Sequence, residues 1–227
     1  MWNNAANLNA KAYFTMGDNA ERQGDLIVAE EYYKRALAIH EQKEEWTRVV
    51  SIYDVLGALE RKRGNMEAAR DWYQKERKKA KNKGISLLHA SASRNLGYLA
   101  AERGNIKEAW KHYQEALEIY QALQDKSGIV FTLNGMGLLF TDIGAYDSAK
   151  DKLIQSVQIA ENIGHKQLTA YNYNALGRLS EAQGDFISAK EWFAKALSML
   201  ENLRDEERAA VVQRNLERMT AKLNSGK

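Results

Sequence analysis

Apolar residues recur along this chain at spacings of three and four, and small ones keep fixed places among the large. Alanine stands at Ala29, Ala69, Ala109, Ala149 and Ala189, and four residues further on come Tyr33, Tyr73, Tyr113, Leu153 and Phe193. Ala36-Leu37, Ala116-Leu117, Ser156-Val157 and Ala196-Leu197 then complete each block. Residues three and four apart share one helix face, so every block predicts an amphipathic helix with a single buried stripe. Upstream of each block, Met16, Leu56, Leu96, Met136 and Leu176 mark a second helix. Each of these is followed by a glycine: Gly17, Gly57, Gly97, Gly137 and Gly177. Glycine inside a helix costs about 0.5–1 kcal/mol, so five in register predict close helix packing rather than loops.

A further glycine ends each first helix, at Gly24, Gly64, Gly104, Gly144 and Gly184. The residue after it is Asp25, Asn65, Asn105, Ala145 or Asp185. Glycine takes the left-handed conformation that closes a helix, and Asp or Asn caps the next one. Five tight helix–helix turns are therefore expected, the fourth without its cap. Both glycine sets repeat every forty residues. Such a period marks a stacked array whose units bury their apolar faces only against neighbours.

The Leu-Gly pair, the turn glycine with its Asp or Asn, the alanine, the aromatic and the final Ala-Leu together resemble the tetratricopeptide repeat, in its forty-residue variety. The resemblance implies an all-α, right-handed helical-hairpin solenoid. Its five repeats fall at about 10–49, 50–89, 90–129, 130–169 and 170–209, with a C-terminal cap helix at about 204–223. One domain over 1–227 is expected. The chain departs from the family pattern in having no proline, in Glu76-Arg77 where Ala-Leu belongs, and in Leu153 for the aromatic. Glu76-Arg77 predicts a looser joint between the second and third repeats.

Composition narrows the rest. The absence of cysteine excludes disulfides, a thiol nucleophile and thiolate ligands, and fits a reducing compartment. The chain starts without the basic end and apolar run of a signal peptide, and no stretch reaches the ~18 apolar residues of a membrane span. The expectation is a soluble cytoplasmic protein, or a soluble fragment of a longer one.

In the resembled family the first helix of each repeat lines the concave face. Carried onto this chain, its exposed positions are Arg94, Asn95, Tyr98, Phe131, Asn134, Leu138, Tyr171, Asn174 and Arg178, with Arg214 and Asn215 from the cap. Asparagine offers donor and acceptor to an extended peptide backbone, rings offer apolar area, and arginine takes a carboxylate bidentately. A peptide segment of a partner protein is the expected ligand. The same residues also read as a solvated inner face, with Tyr98 and Tyr171 packed between repeats. The carboxylate clamp of chaperone adaptors is not expected, because Lys11, Phe14, Asp18 and Val55 do not complete it.

Net charge is +3, but residues 61–83 hold ten basic residues against three acidic ones. Lys75, Arg77, Lys78, Lys79, Lys81 and Lys83 crowd one helix end. They read as a basic patch for a polyanion, or as a charged outer face with cations at a helix C-terminus. No nucleic-acid motif accompanies them, and nucleic acid is not the expected partner.

No catalytic constellation emerges. His40, His89, His112 and His165 occupy unlike repeat positions, His40 with Glu44 as an ordinary i, i+4 pair. Gly135-Met136-Gly137 lacks the strand and lysine of a phosphate loop. No enzyme, no metal and no cofactor are expected. Trp72 and Trp192 share a repeat position and predict packing, Trp110 is expected to be partly exposed, and Trp2 suggests association through an array end. The function expected is a protein-interaction scaffold or adaptor. The alternatives are a regulatory sensor module and a polyanion-binding protein using residues 61–83.

Overall fold

The computed structural model describes residues 9–225. Among them are eleven α-helices and no strand. They group in two compact units, one ending at Arg103 and one beginning at Gly104, so the third forty-residue repeat contributes one helix to each.

The first unit holds α1 (Ala10–Arg22), α2 (Leu26–Gln42), α3 (Trp46–Lys62), α4 (Met66–Asn82) and α5 (Ser86–Glu102). α1 pairs with α2 and α3 with α4 as hairpins, and α2 against α3 and α4 against α5 continue the stack. The core gathers Tyr13, Tyr33, Ile52, Leu56 and Leu59, then Ala69, Tyr73, Leu96 and Leu99.

The second unit holds α6 (Ile106–Ala122), α7 (Lys126–Asp142), α8 (Tyr146–Asn162), α9 (Lys166–Ala182), α10 (Phe186–Asn202) and α11 (Glu206–Ser225). Here α7 pairs with α8 and α9 with α10, while α11 packs on α10. Phe193, Leu200, Val212 and Met219 share one cluster, so α11 closes the apolar end of α10 as the expected cap helix. Full burial of each such side chain contributes about 1.5–3 kcal/mol.

The repeat signature has a direct steric meaning. A Cβ on Gly57 would stand 2.5 Å from the Tyr73 ring, and one on Gly177 would stand 2.6 Å from the Phe193 ring. The first helix thus lets the ring of the second lie against its backbone. At the turn, Gly24 has φ 84°, its N–H bonds Glu21 O, and Asp25 N–H bonds Ala20 O at 2.9 Å. That is the Schellman closure, and it needs a left-handed residue. Asp25, Asn105 and Asp185 cap the following helices as expected, and Ala145 does not. Asn65 corrects the pattern: it makes no cap and donates its amide to Glu60 at 2.7 Å.

A second set of turns lies midway between the first. Glu44, Gly84, Gln124, Gly164 and Arg204 are all left-handed, so helices α2 to α10 are each 17 residues long and turn every twenty. At Glu76, where the sequence predicts a looser joint, the side chain on α4 has no exposed surface, and its burial carries a desolvation cost.

Candidate functional site

In the second unit α7 lies beside α9, and the polar faces of α7, α9 and α11 border a cleft of about 690 Å³. The cleft is lined by Asp142, Tyr146, Asn174, Arg178, Glu181, Val211, Asn215 and Arg218, among others. Those on α7 and α9 rise from helices whose opposite faces bury Met136, Leu139, Leu176 and Leu179 in the core.

An amide ladder crosses the helices. Asn134 donates to Asn172 at 2.9 Å, Asn172 donates to Leu168 O at 2.8 Å, and Asn215 donates to Asn174 at 3.2 Å. Asn172 is fully buried and spends its amide within the fold, whereas Asn174 and Asn215 line the cleft with hydrogen-bonding capacity left over. Arg178 reaches Asp142 only at 3.5 Å, and both side chains are about half exposed. Such a pair contributes little to stability and yields readily to a ligand carboxylate. Arg218 grips Glu181 with two nitrogens, at 3.1 and 2.6 Å, and Lys222 adds a third contact at 3.1 Å. Burial alone would raise the Glu181 carboxyl, but these cations outweigh it and hold the pKa below the ordinary value. Tyr146 donates to Ala182 O at 3.0 Å and ties α8 to the cleft floor.

The remaining sequence-derived positions divide between the units. Phe131 is exposed, Leu138 packs half-buried against the cluster around Leu153, and Arg214 is exposed on α11. Tyr171 is half-buried with the Arg208 guanidinium 5.3 Å from its ring centre, and burial raises its hydroxyl pKa. Arg94, Asn95 and Tyr98 belong to the first unit. There Asn95 donates to Asp54 at 2.7 Å and accepts from Arg94 at 3.2 Å, while Arg61 lies 5.0 Å over the Tyr98 ring. The cleft also contains Asp142, Glu181 and Arg218, which no sequence signal separated from other charged residues on solvated helices.

The basic cluster sits on α4 and the turn after it. Lys75 lies 4.1 Å over the Trp72 ring, and Lys79 and Lys83 lie 4.4 and 4.3 Å over the Trp46 ring. Lys78 and Lys81 are exposed, and Arg77 is half-buried. Trp72 packs on Tyr53, Trp192 on Tyr173 and Trp110 on Phe140, with ring centres 5.2–5.7 Å apart. Trp2 lies outside the described residues. His40 pairs with Glu45, not Glu44, because the left-handed turn at Glu44 swings the next residue back over α2. Among the described residues no group of His, Asp or Glu could hold a metal ion, and no helix is long and apolar enough to cross a membrane.

Stacked hairpins, ring-on-glycine contacts and a polar cleft along the first helices define a tetratricopeptide-type helical repeat protein. More narrowly, the MalT-like TPR region model matches residues 20–223, and the chain belongs to that family. No curated protein matches it. Among solved structures it is similar to BtubC (BKLC) from P. vanneervenii, with 22% identity, 86% of this chain and 80% of that one covered, and a TM-score of 0.71. It is also similar to the Rap conjugation gene regulator of plasmid pLS20 in complex with the Phr* peptide, with 14% identity, 95% and 62% covered, and a TM-score of 0.73. A third likeness is to a STAND signal transduction ATPase with a tetratricopeptide repeat sensor from Pyrococcus horikoshii, with 19% identity, 91% and 32% covered, and a TM-score of 0.72. This chain thus spans less than two thirds of the Rap protein and about a third of the ATPase. At these identities the likeness shows the fold.

Proposed function

We propose that this chain is a non-catalytic interaction module that binds a peptide segment of a partner in the cleft of the second unit. The observation that carries the reading is the pair Asn174 and Asn215, bonded to each other at 3.2 Å and lining the same cleft as the loosely held Arg178. Amides spaced along parallel helices suit an extended backbone, Val211 offers apolar area, and Arg178 suits an acidic side chain. The Rap relative, solved with a peptide, supports the same use of the fold. A cytoplasmic setting accords with the lack of cysteine.

Selection from a displayed peptide library tests this. The protein should enrich extended sequences with acidic and apolar positions, and Asn174→Ala with Arg178→Ala should weaken the selected peptide by about tenfold or more. Equal binding by the double variant would move the site elsewhere. A regulatory sensor role is the second reading, favoured by the sensor region of the STAND relative. It requires that the selected peptide change the scattering profile of the protein. A polyanion role for residues 61–83 has less support, since Lys75, Lys79 and Lys83 already lie on indole faces.

A further inference from the structure

The first unit carries a cavity of its own, of about 370 Å³, where the start of α1, the end of α2 and the start of α3 meet. Its wall combines Ala10, Phe14 and Ile52 with Lys11, Lys43 and Arg48. Among the described residues no carboxylate lies within ion-pairing distance of any of these three cations; the nearby acid is already committed. That acid is Glu45, the one carboxylate in the lining, and it bonds Nδ1 of the buried His40. Because its carboxylate turns to His40, Glu45 gives α3 no side-chain cap, although it occupies the N-cap position. Lys11, Lys43 and Arg48 against Glu45 leave a surplus of two positive charges around one small cavity.

A surplus of two positive charges beside an apolar wall fits a dianion with a small apolar body. We propose that this cavity binds the phosphate monoester of a small, partly apolar molecule, a site separate from the peptide cleft and additional to it. Arg48 supplies the planar fork that matches phosphate oxygens, Lys11 and Lys43 supply point charges, and Phe14 with Ile52 receives the body. A cavity of this size lies at the small end of ligand sites, which suits a metabolite rather than a polymer.

Titration calorimetry and amide NMR shifts, in salt near physiological strength, decide the matter with phenyl phosphate, inorganic phosphate and phenol as probes. Phenyl phosphate should saturate, shift amides at the start of α1 and α3, and bind about tenfold more tightly than inorganic phosphate or phenol. Arg48→Gln and Lys43→Gln, both at exposed positions that leave the core intact, should each weaken it about fivefold or more. Lys81→Gln removes the same charge from an exposed position on α4 and should change nothing. The proposal fails if phenyl phosphate gives no saturable shift, if inorganic phosphate binds as tightly, or if Lys81→Gln weakens binding as much as Arg48→Gln does.

Discussion

One repeat position is filled in opposite ways in the two units. In the second unit Ser156 stands there on α8, fully buried, and donates to Val130 O at 2.9 Å. In the first unit Glu76 stands there on α4, equally buried, and neither carboxyl oxygen has a hydrogen-bond partner. Elsewhere the position holds Ala36, Ala116 or Ala196, each without exposed surface. Burial, with the neighbouring Asp54 carboxylate adding to it and Arg94 offsetting only part, pushes the Glu76 pKa up to about 10. Asp54 is raised by burial as well. The packing tolerates an acid there because the acid keeps its proton. What the position demands is small size or neutrality, and the serine meets both while the glutamate meets only the second.

Moving the exception to the other unit gives the largest effect expected. Ser156→Glu would place a carboxyl beside the Val130 carbonyl, in a site shaped for a hydroxyl and without Arg94. Loss of the serine bond, overpacking and a buried unpaired group together should cost about 4 kcal/mol or more. Chemical denaturation of the variant should show the second unit unfolding at markedly lower denaturant. A loss under about 1 kcal/mol would mean that this position accepts acids generally and that Glu76 is unremarkable.

The reverse change should stabilise. Glu76→Ala restores the residue found at Ala36 and Ala196 and removes a group whose folded pKa lies far above its ordinary value of 4.5. With the folded value raised, the Glu76 contribution is most favourable below about pH 4.5 and declines as pH climbs toward about 10. At pH 7.5 the alanine variant should therefore be more stable by roughly 2 kcal/mol, after a cavity cost is subtracted. Its advantage should shrink as pH falls to 5. Thermal melts of both proteins between pH 5 and 9 check this; an advantage that stays constant with pH would show that Glu76 is ionised in the fold.

Most of the frame was readable because its steric demands leave few residue choices. Only glycine lets Tyr73 approach Gly57, and Gly24 suits the left-handed closure, so both sets surface as a period. The intermediate turns stayed hidden because Glu44, Gln124 and Arg204 meet the same backbone demand with ordinary side chains. Asn174 and Asn215, which line the cleft, were legible because the repeat register assigns them to the exposed face of the first helices. Asp142 and Glu181 did not, since a carboxylate on a helix says nothing about which cation it faces. Glu76 was visible as a breach of the pattern. Its full burial and raised pKa depend on Asp54 and Arg94, which only the fold brings beside it.

The smallest effects expected compare those intermediate turns within the second unit. Gln124 is left-handed at φ 55° between α6 and α7, and Gly164 is left-handed at φ 67° between α8 and α9. A side chain in that region costs on the order of 1 kcal/mol, so Gln124→Gly should gain that strain back, less the added freedom of the unfolded glycine. A net gain of about 0.5 kcal/mol is expected, seen as a rise in Tm of a few degrees at most. Gly164→Ala runs the other way. A Cβ there meets nothing within 4 Å, so its cost is purely conformational and should be about 1 kcal/mol. Because no packing changes at either turn, the two shifts isolate the backbone term. If both variants lost stability equally, Gln124 would be held by its side chain rather than merely tolerated, and the twenty-residue turn would depend on more than its dihedral angles.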